Sequence, residues 1–227
     1  MKKVLFIAIA LLAGVVAQAG NKAENTRGVK YAQMYDEQPR AIVVMPPINK
    51  TNHVEAKDYF YSTMYKPLCE KGYYVFPPML TMEMFQTESA YDAEMFVEGN
   101  LDVFRNVLGA DAAMFTVVKT WKRLNALGSI TVEVEFILRS TKTGATLYQR
   151  EGTVTVNQQV STGQSGLFGA LLDMAATAAA TASTDKVVVG RKCASYVLNN
   201  MPEGPYSPNY LKDQDVKAGG DKVSGSF

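Results

Sequence analysis

The chain is short of the residues on which most enzyme chemistry depends. It has one histidine, His53, and two cysteines, Cys69 and Cys193. A hydrolytic triad or a histidine-rich metal centre cannot be assembled from a lone histidine without unusual partners. No C-x-x-C pair occurs, and no G-x-S-x-G, H-E-x-x-H, P-loop or G-x-G-x-x-G string. Charge of either sign is equally sparse. The 23 Lys and Arg nearly cancel the 22 Asp and Glu, for a formal charge of +1. Without a basic block there is no electrostatic footprint for nucleic acid or an anionic lipid surface. Beyond residue 20 no stretch approaches the ~20 apolar residues that cross a bilayer. The expectation is a protein that is not an enzyme, with no catalytic residue, metal or cofactor.

What is present begins at the N-terminus. Lys2 and Lys3 precede an uncharged run, Val4–Val16, and Ala17-Gln18-Ala19 supplies a small-x-small cleavage pattern. This is a secretory signal, with cleavage expected before Gly20. A lipid-anchoring signal would need a cysteine just after Leu12-Ala13-Gly14, where the sequence has Val15. The remaining length suits one domain, long enough to bury about 70% of its unfolded surface without a staple. Export permits a disulfide between Cys69 and Cys193, but both fall in predicted helices. Cys193 shares a helix face with Val189 and Val197, the setting of a buried free thiol.

Residues 20–39 are polar and read as a flexible lead-in. Ala41–Met45 is an apolar strand stopped by Pro46-Pro47, and Asn52 with Glu55 resembles a capping box. The helix that follows carries Phe60, Met64 and Leu68 at helical spacing, is loosened near its end by Pro67, and stops at Gly72. Tyr73–Phe76 is a second strand, Thr81 caps a short helix, and a longer helix runs from about Tyr91 to Leu108. This strand–helix order predicts a parallel pair. Ala112–Thr120 is a third strand. Ile130 to Arg139 alternates apolar and polar residues and returns as Thr146–Val156 through Thr141-Lys142-Thr143-Gly144, a hairpin. Ser161–Ser165 reads as a linker, Leu167–Ala182 and Lys186–Asn199 as helices, and residues 211–227 as a disordered tail.

Three places could carry recognition. Asn49 and Thr51 lie past the first strand, at the end where open α/β sheets bind ligands, although the same residues are good turn and cap chemistry. Trp121 fits either an exposed partner anchor or the core. On the Leu167–Ala182 helix, Leu167, Leu171 and Met174 lie on one side, with Phe168 beside them. Asp173, Thr177 and Thr181 form a polar stripe on the other. That apolar side packs on the sheet or on a partner. Glu133 and Glu135 share a strand face and read as solvated rather than as a catalytic pair.

An ordered series of short motifs spans Arg40 to Tyr210. It runs from Val43-Val44-Met45-Pro46-Pro47-Ile48-Asn49 through Glu70-Lys71-Gly72-Tyr73-Tyr74-Val75-Phe76-Pro77 to Leu108-Gly109-Ala110-Asp111-Ala112. It continues with Ser140–Gly144, Gly166-Leu167-Phe168-Gly169-Ala170 and Gly204-Pro205-Tyr206-Ser207-Pro208. The series resembles a bacterial lipoprotein family first noticed as a genome-derived meningococcal antigen. That resemblance implies an α/β domain like the amino-terminal domain of TolB and the periplasmic part of CsgG. It also implies an envelope assembly beside a CsgG-like lipoprotein. Val15 is where the chain departs from the family's anchoring cysteine.

The resulting expectation is one α+β domain over residues 40–210, three-layer-like, with a mixed sheet of about five strands under N-terminal and C-terminal helices. Its role would be a non-catalytic periplasmic or outer-membrane-associated subunit of an envelope transport or secretion assembly. Homo-oligomers and peripheral membrane association are compatible with it. The alternative is a periplasmic small-ligand binder or enzyme using the loop after the first strand.

Overall fold

A computed structural model describes residues 25–87, 92–124, 128–157, 159, 161, 163, 166–183 and 185–227. The predicted signal segment, the first residues of the lead-in and most of the 161–165 linker lie outside the described residues. The elements in order are α1 (Arg27–Lys30), α2 (Ala32–Glu37), β1 (Ala41–Val44), β2 (Ile48–Asn49), α3 (Ala56–Thr63), α4 (Tyr65–Glu70), β3 (Tyr74–Val75) and α5 (Pro78–Thr87). They continue with α6 (Glu94–Val97), α7 (Asp102–Leu108), β4 (Ala112–Leu124), β5 (Ser129–Ser140), β6 (Thr146–Asn157), α8 (Gly166–Ser183), α9 (Lys186–Leu198) and β7 (Lys222–Ser226).

The fold of the described residues is α+β around one mixed sheet of seven strands, six of them in the order β3-β1-β4-β5-β6-β7 and the seventh, β2, paired with β4. As the strand–helix order predicts, β3 runs parallel to β1, while β4, β5 and β6 form an antiparallel meander. The two strands beyond the expected five have separate origins. Pro46 and Pro47 have no N–H to give the ladder, so the chain leaves β4 after Met45 and rejoins it as β2. The other is β7, parallel to β6, in the segment expected to be disordered. Its outward side is closed in part by Tyr196, whose hydroxyl donates to the Ser224 carbonyl at 2.6 Å.

Two apolar layers flank the sheet. On one face α3, α4 and α9 bury Phe60, Met64, Leu68 and Cys193 against Met114, Val134 and Phe136. Asp185 caps α9 by accepting the Val187 N–H at 2.8 Å. The helix lies so close to β6 that a Cβ on Gly152 would sit 2.1 Å from the Val197 side chain. On the other face α5, α6 and α7 bury Phe85, Leu101 and Phe104 against Val43, Met45 and Phe115.

Several local expectations need correction. The lead-in is helical where described: Tyr31, Met34 and Tyr35 recur at i, i+3 and i+4 and are buried. The expected capping box does not form, since α3 starts without a side-chain cap. The predicted single helix ending at Gly72 is two helices, because Pro67 cannot bond to the carbonyl of Thr63 and its ring crowds it. Thr81 is inside α5 rather than at its cap. Pro78 opens that helix, a position where its missing N–H costs nothing. The predicted Tyr91–Leu108 helix is divided into α6 and α7, and Arg139 explains the break. Its Nη1 donates to the carbonyls of Phe96 and Gly99 at 3.1 and 3.2 Å, and to Val97.

Candidate functional site

The motif residues that punctuate the sequence turn out to be joints of the fold. The Asp111 carboxylate accepts the N–H groups of Arg40 and Ala41 at 2.8 and 2.9 Å, fixing the entry to β1. Gly109 supplies the left-handed residue that ends α7, with φ 71°. Gly204 donates to the Lys71 carbonyl at 2.7 Å, and any Cβ on it would lie 2.4 Å from the Gly72 carbonyl oxygen. The Thr141 hydroxyl donates to Ala110 O at 2.6 Å, and the Thr143 hydroxyl to Glu37 at 2.8 Å.

Asn49 and Thr51 lie together in the loop after β2, beside a cleft of about 250 Å³ lined in part by Pro47, Val54, Lys57, Asp92 and Glu94. The Asn49 oxygen accepts from the Thr51 N–H and hydroxyl at 3.0 and 2.8 Å, and its amide donates to the His53 carbonyl at 2.6 Å. Lys50 pairs with Glu94 at 2.7 Å across the same loop. The side-chain amide is thus spent on shaping the loop, as turn chemistry requires. His53 is exposed and contributes its backbone here.

Trp121 is not an exposed anchor. It is 5% accessible and belongs to the core, 5.6 Å from the Tyr59 ring and 6.2 Å from Phe60. A register shift between Val118 and Thr120 in β4 turns it inward, one position out of strict alternation.

Helix α8 shows the most informative departure from ordinary amphipathic packing. Thr177, from the stripe of polar residues, is buried, whereas Leu171 and Met174 are 58% and 53% exposed. Ala170, Ala175 and Ala179 are exposed too. Asp173 is the one ionisable residue between Gly166 and Ser183. Leu167 and Phe168 belong to the first turn of this helix, and their side chains lie outside the described residues.

Two charge clusters escaped sequence reasoning. At the β4 irregularity, Lys119 bridges Glu135 at 2.9 Å and Glu151 at 2.5 Å, and Lys222 of β7 adds a second cation to Glu151 at 3.0 Å. Hydrogen bonds from Lys119 and Lys222 hold the Glu151 carboxyl down at about 2. Glu135 therefore belongs to a structural ion network, and Glu133 accepts from Thr120 at 3.1 Å. The second cluster joins the two ends of the described chain. Buried Arg27 pairs with buried Asp213 at 2.9 Å and donates to Asn199 O at 3.1 Å. The Arg27 and Gly28 N–H groups bond to Val216 and Gln214. Arg27 Nε has no hydrogen-bond partner among the described residues, and the Tyr35 hydroxyl lies against the Asp213 carboxylate. Burial, then the Asp213 carboxylate, push the Tyr35 phenol upward.

Cys69 and Cys193 are both free thiols. Burial pushes the Cys193 thiol up to about 12. Among the described residues no three His, Cys, Asp or Glu side chains are grouped as a metal ion would need. No helix of the described residues is long and apolar enough to cross a membrane.

Known proteins resemble this chain in sequence and in fold. A Neisseria meningitidis serogroup B protein described as a putative lipoprotein is 27% identical over 200 residues, 87% of this chain and 90% of its own length. The crystal structure of lipoprotein GNA1162 from Neisseria meningitidis is 21% identical, with a TM-score of 0.48 over 64% of this chain and 100% of that one. A PelC dodecamer from Paraburkholderia phytofirmans is 16% identical, with a TM-score of 0.43 over 71% and 86% of the two chains. The family description "Putative lipoprotein GNA1162-like" matches residues 29–204. Lipoproteins are exported proteins of the cell envelope. The chain belongs to the GNA1162-like lipoprotein family.

Proposed function

We propose that this protein is a non-catalytic subunit of an envelope transport or secretion assembly, in the periplasm or at the periplasmic face of the outer membrane. It acts there by protein–protein recognition beside a CsgG-like lipoprotein. The observation that carries this reading is the outward face of α8, where Leu171 and Met174 are more than half exposed in a helix with one ionisable residue. Large apolar side chains on a helix normally turn to their own core, and exposing them is costly unless a partner covers them. The exposed alanines allow that partner to approach closely. The Asn49 cleft supports the alternative of a small-ligand site less well, because the polar atoms of Asn49 are bonded within the loop.

The test is cross-linked purification of the tagged protein from its native envelope, read by mass spectrometry. Stoichiometric recovery of a CsgG-like lipoprotein supports the reading. Recovery of the protein alone, under conditions where cross-linking of a known envelope pair succeeds, overturns it. Ligand screening of the Asn49 cleft would then be the next step.

A further inference from the structure

Two exposed surfaces, on opposite layers of the sheet, are complementary in charge and in apolar content. The first is a groove of about 390 Å³ between α9 and the end of β7, lined by Val188, Arg191, Lys192, Ser195, Tyr196 and Phe227. Val188, Arg191, Lys192 and Ser195 recur at i, i+3, i+4 and i+7, the one face of α9 that does not bury against the core. Neither Arg191 nor Lys192 forms an ion pair among the described residues, and no acidic side chain lines the groove. Its apolar floor is the Tyr196–Phe227 pair, with ring centroids 5.4 Å apart, and Lys192 stands 5.9 Å over the Phe227 ring.

The second surface is formed by α6 and α7. Asp92, Glu94, Glu98 and Asp102 are exposed there around Met95, which is 69% exposed, and Val103. Lys50 pairs with Glu94, Lys57 lines the cleft beside Asp92 and Glu94, and Arg105 is exposed on α7. The four carboxylates exceed the cations around them, and Glu98 and Asp102 give the surface its acidic edge. The α9 groove belongs to the layer that packs on Phe60 and Phe136, whereas α6 and α7 belong to the layer that packs on Met45 and Phe115. A single copy cannot bring the two together. We propose that the basic groove of one copy takes the acidic Met95 surface of a second copy, giving a head-to-tail assembly of this chain.

Such a contact is heterologous, so it closes into a ring or runs on as a filament according to the rotation between copies. Opposite charges at the rim steer the encounter, and Met95 and Val103 supply apolar surface for the groove to bury. The contact uses neither Leu171 nor Met174, so it is independent of the α8 surface assigned to a different partner.

Sedimentation velocity on the purified exported chain tests it. Concentration-dependent self-association is expected at about 0.01 M salt, where charges act over about 30 Å, and weaker association at about 1 M, where they act over about 3 Å. Arg191→Glu with Lys192→Glu, or Glu94→Lys with Glu98→Lys, should each weaken association by about tenfold or more, because like charges then face each other. Mixing the two double variants, or combining all four changes in one chain, should restore it. Restoration also shows that the variants remain folded. A wild-type chain that stays monomeric at low salt overturns the proposal. So does association that survives both double variants, or that is lost in Leu171→Glu.

Discussion

Glu151 on β6 is held by Lys119, reaching across β5 from β4, and by Lys222 on the adjacent β7, and the consequence is a defined dependence on acid. Its folded carboxyl titrates at about 2, below the ordinary 4.5, so its stabilising effect is complete above pH 4.5 and is lost as the pH falls toward 2. Glu151→Gln should flatten that part of the acid unfolding curve, measured by circular dichroism from pH 5 to pH 2. Arg27 and Asp213 are both buried, so Arg27→Ala leaves a carboxylate without its cation and should cost about 3–5 kcal/mol in a denaturant titration. Cys193 is protonated and shut in the core, and should resist alkylation in the native protein and react on unfolding. Gly152 is required for contact rather than for backbone freedom, since a methyl group there would strike Val197. Gly152→Ala should cost about 1–3 kcal/mol by overpacking.

At the level of elements, what the sequence showed depended on whether neighbours along the chain carried the signal. The alternation from Ile130 to Arg139 and the turn at Gly144 specify the central hairpin, which pairs along its length with one register shift between Leu138 and Arg139. Valines and Cys193 at helical spacing specify the buried face of α9. The division between α6 and α7 has a local signal in Gly99-Asn100, where the Asn100 oxygen accepts the Asp102 N–H at 2.7 Å, and Arg139, forty residues on, adds hydrogen bonds that no local pattern shows. Strand β7 was not readable either, since Lys-Val-Ser-Gly-Ser has little apolar content and is held by Glu151, Tyr196 and the β6 ladder. The α8 helix was placed correctly, but its outward face follows from Thr177 being buried, which composition does not indicate. Leu171→Glu with Met174→Glu should therefore change the thermal midpoint little, within about 0.5 kcal/mol of stability, because both side chains are largely exposed. A loss of several kcal/mol would mean that this face is packed within the molecule.

For the whole molecule, the sheet acts as a partition with a helical layer on each face, and the surfaces proposed for recognition lie outside both cores. Trp121 shows why a residue type alone does not locate such a surface. The register shift beside it turns a candidate anchor into a core side chain. The ends of the described chain are clasped by Arg27 and Asp213 and by the backbone bonds from Arg27, Gly28 and Ala218. That clasp sets the course of the segment leading to β7, so the lead-in and tail are parts of the domain rather than appendages. The central claim is that the exposed face of α8 recognises an envelope protein. The most direct test is parallel cross-linked capture from the native envelope with wild-type protein and with the Leu171→Glu, Met174→Glu variant. A CsgG-like lipoprotein is expected to be recovered with the wild type and lost with a variant of unchanged melting temperature. Equal recovery with both proteins would contradict it.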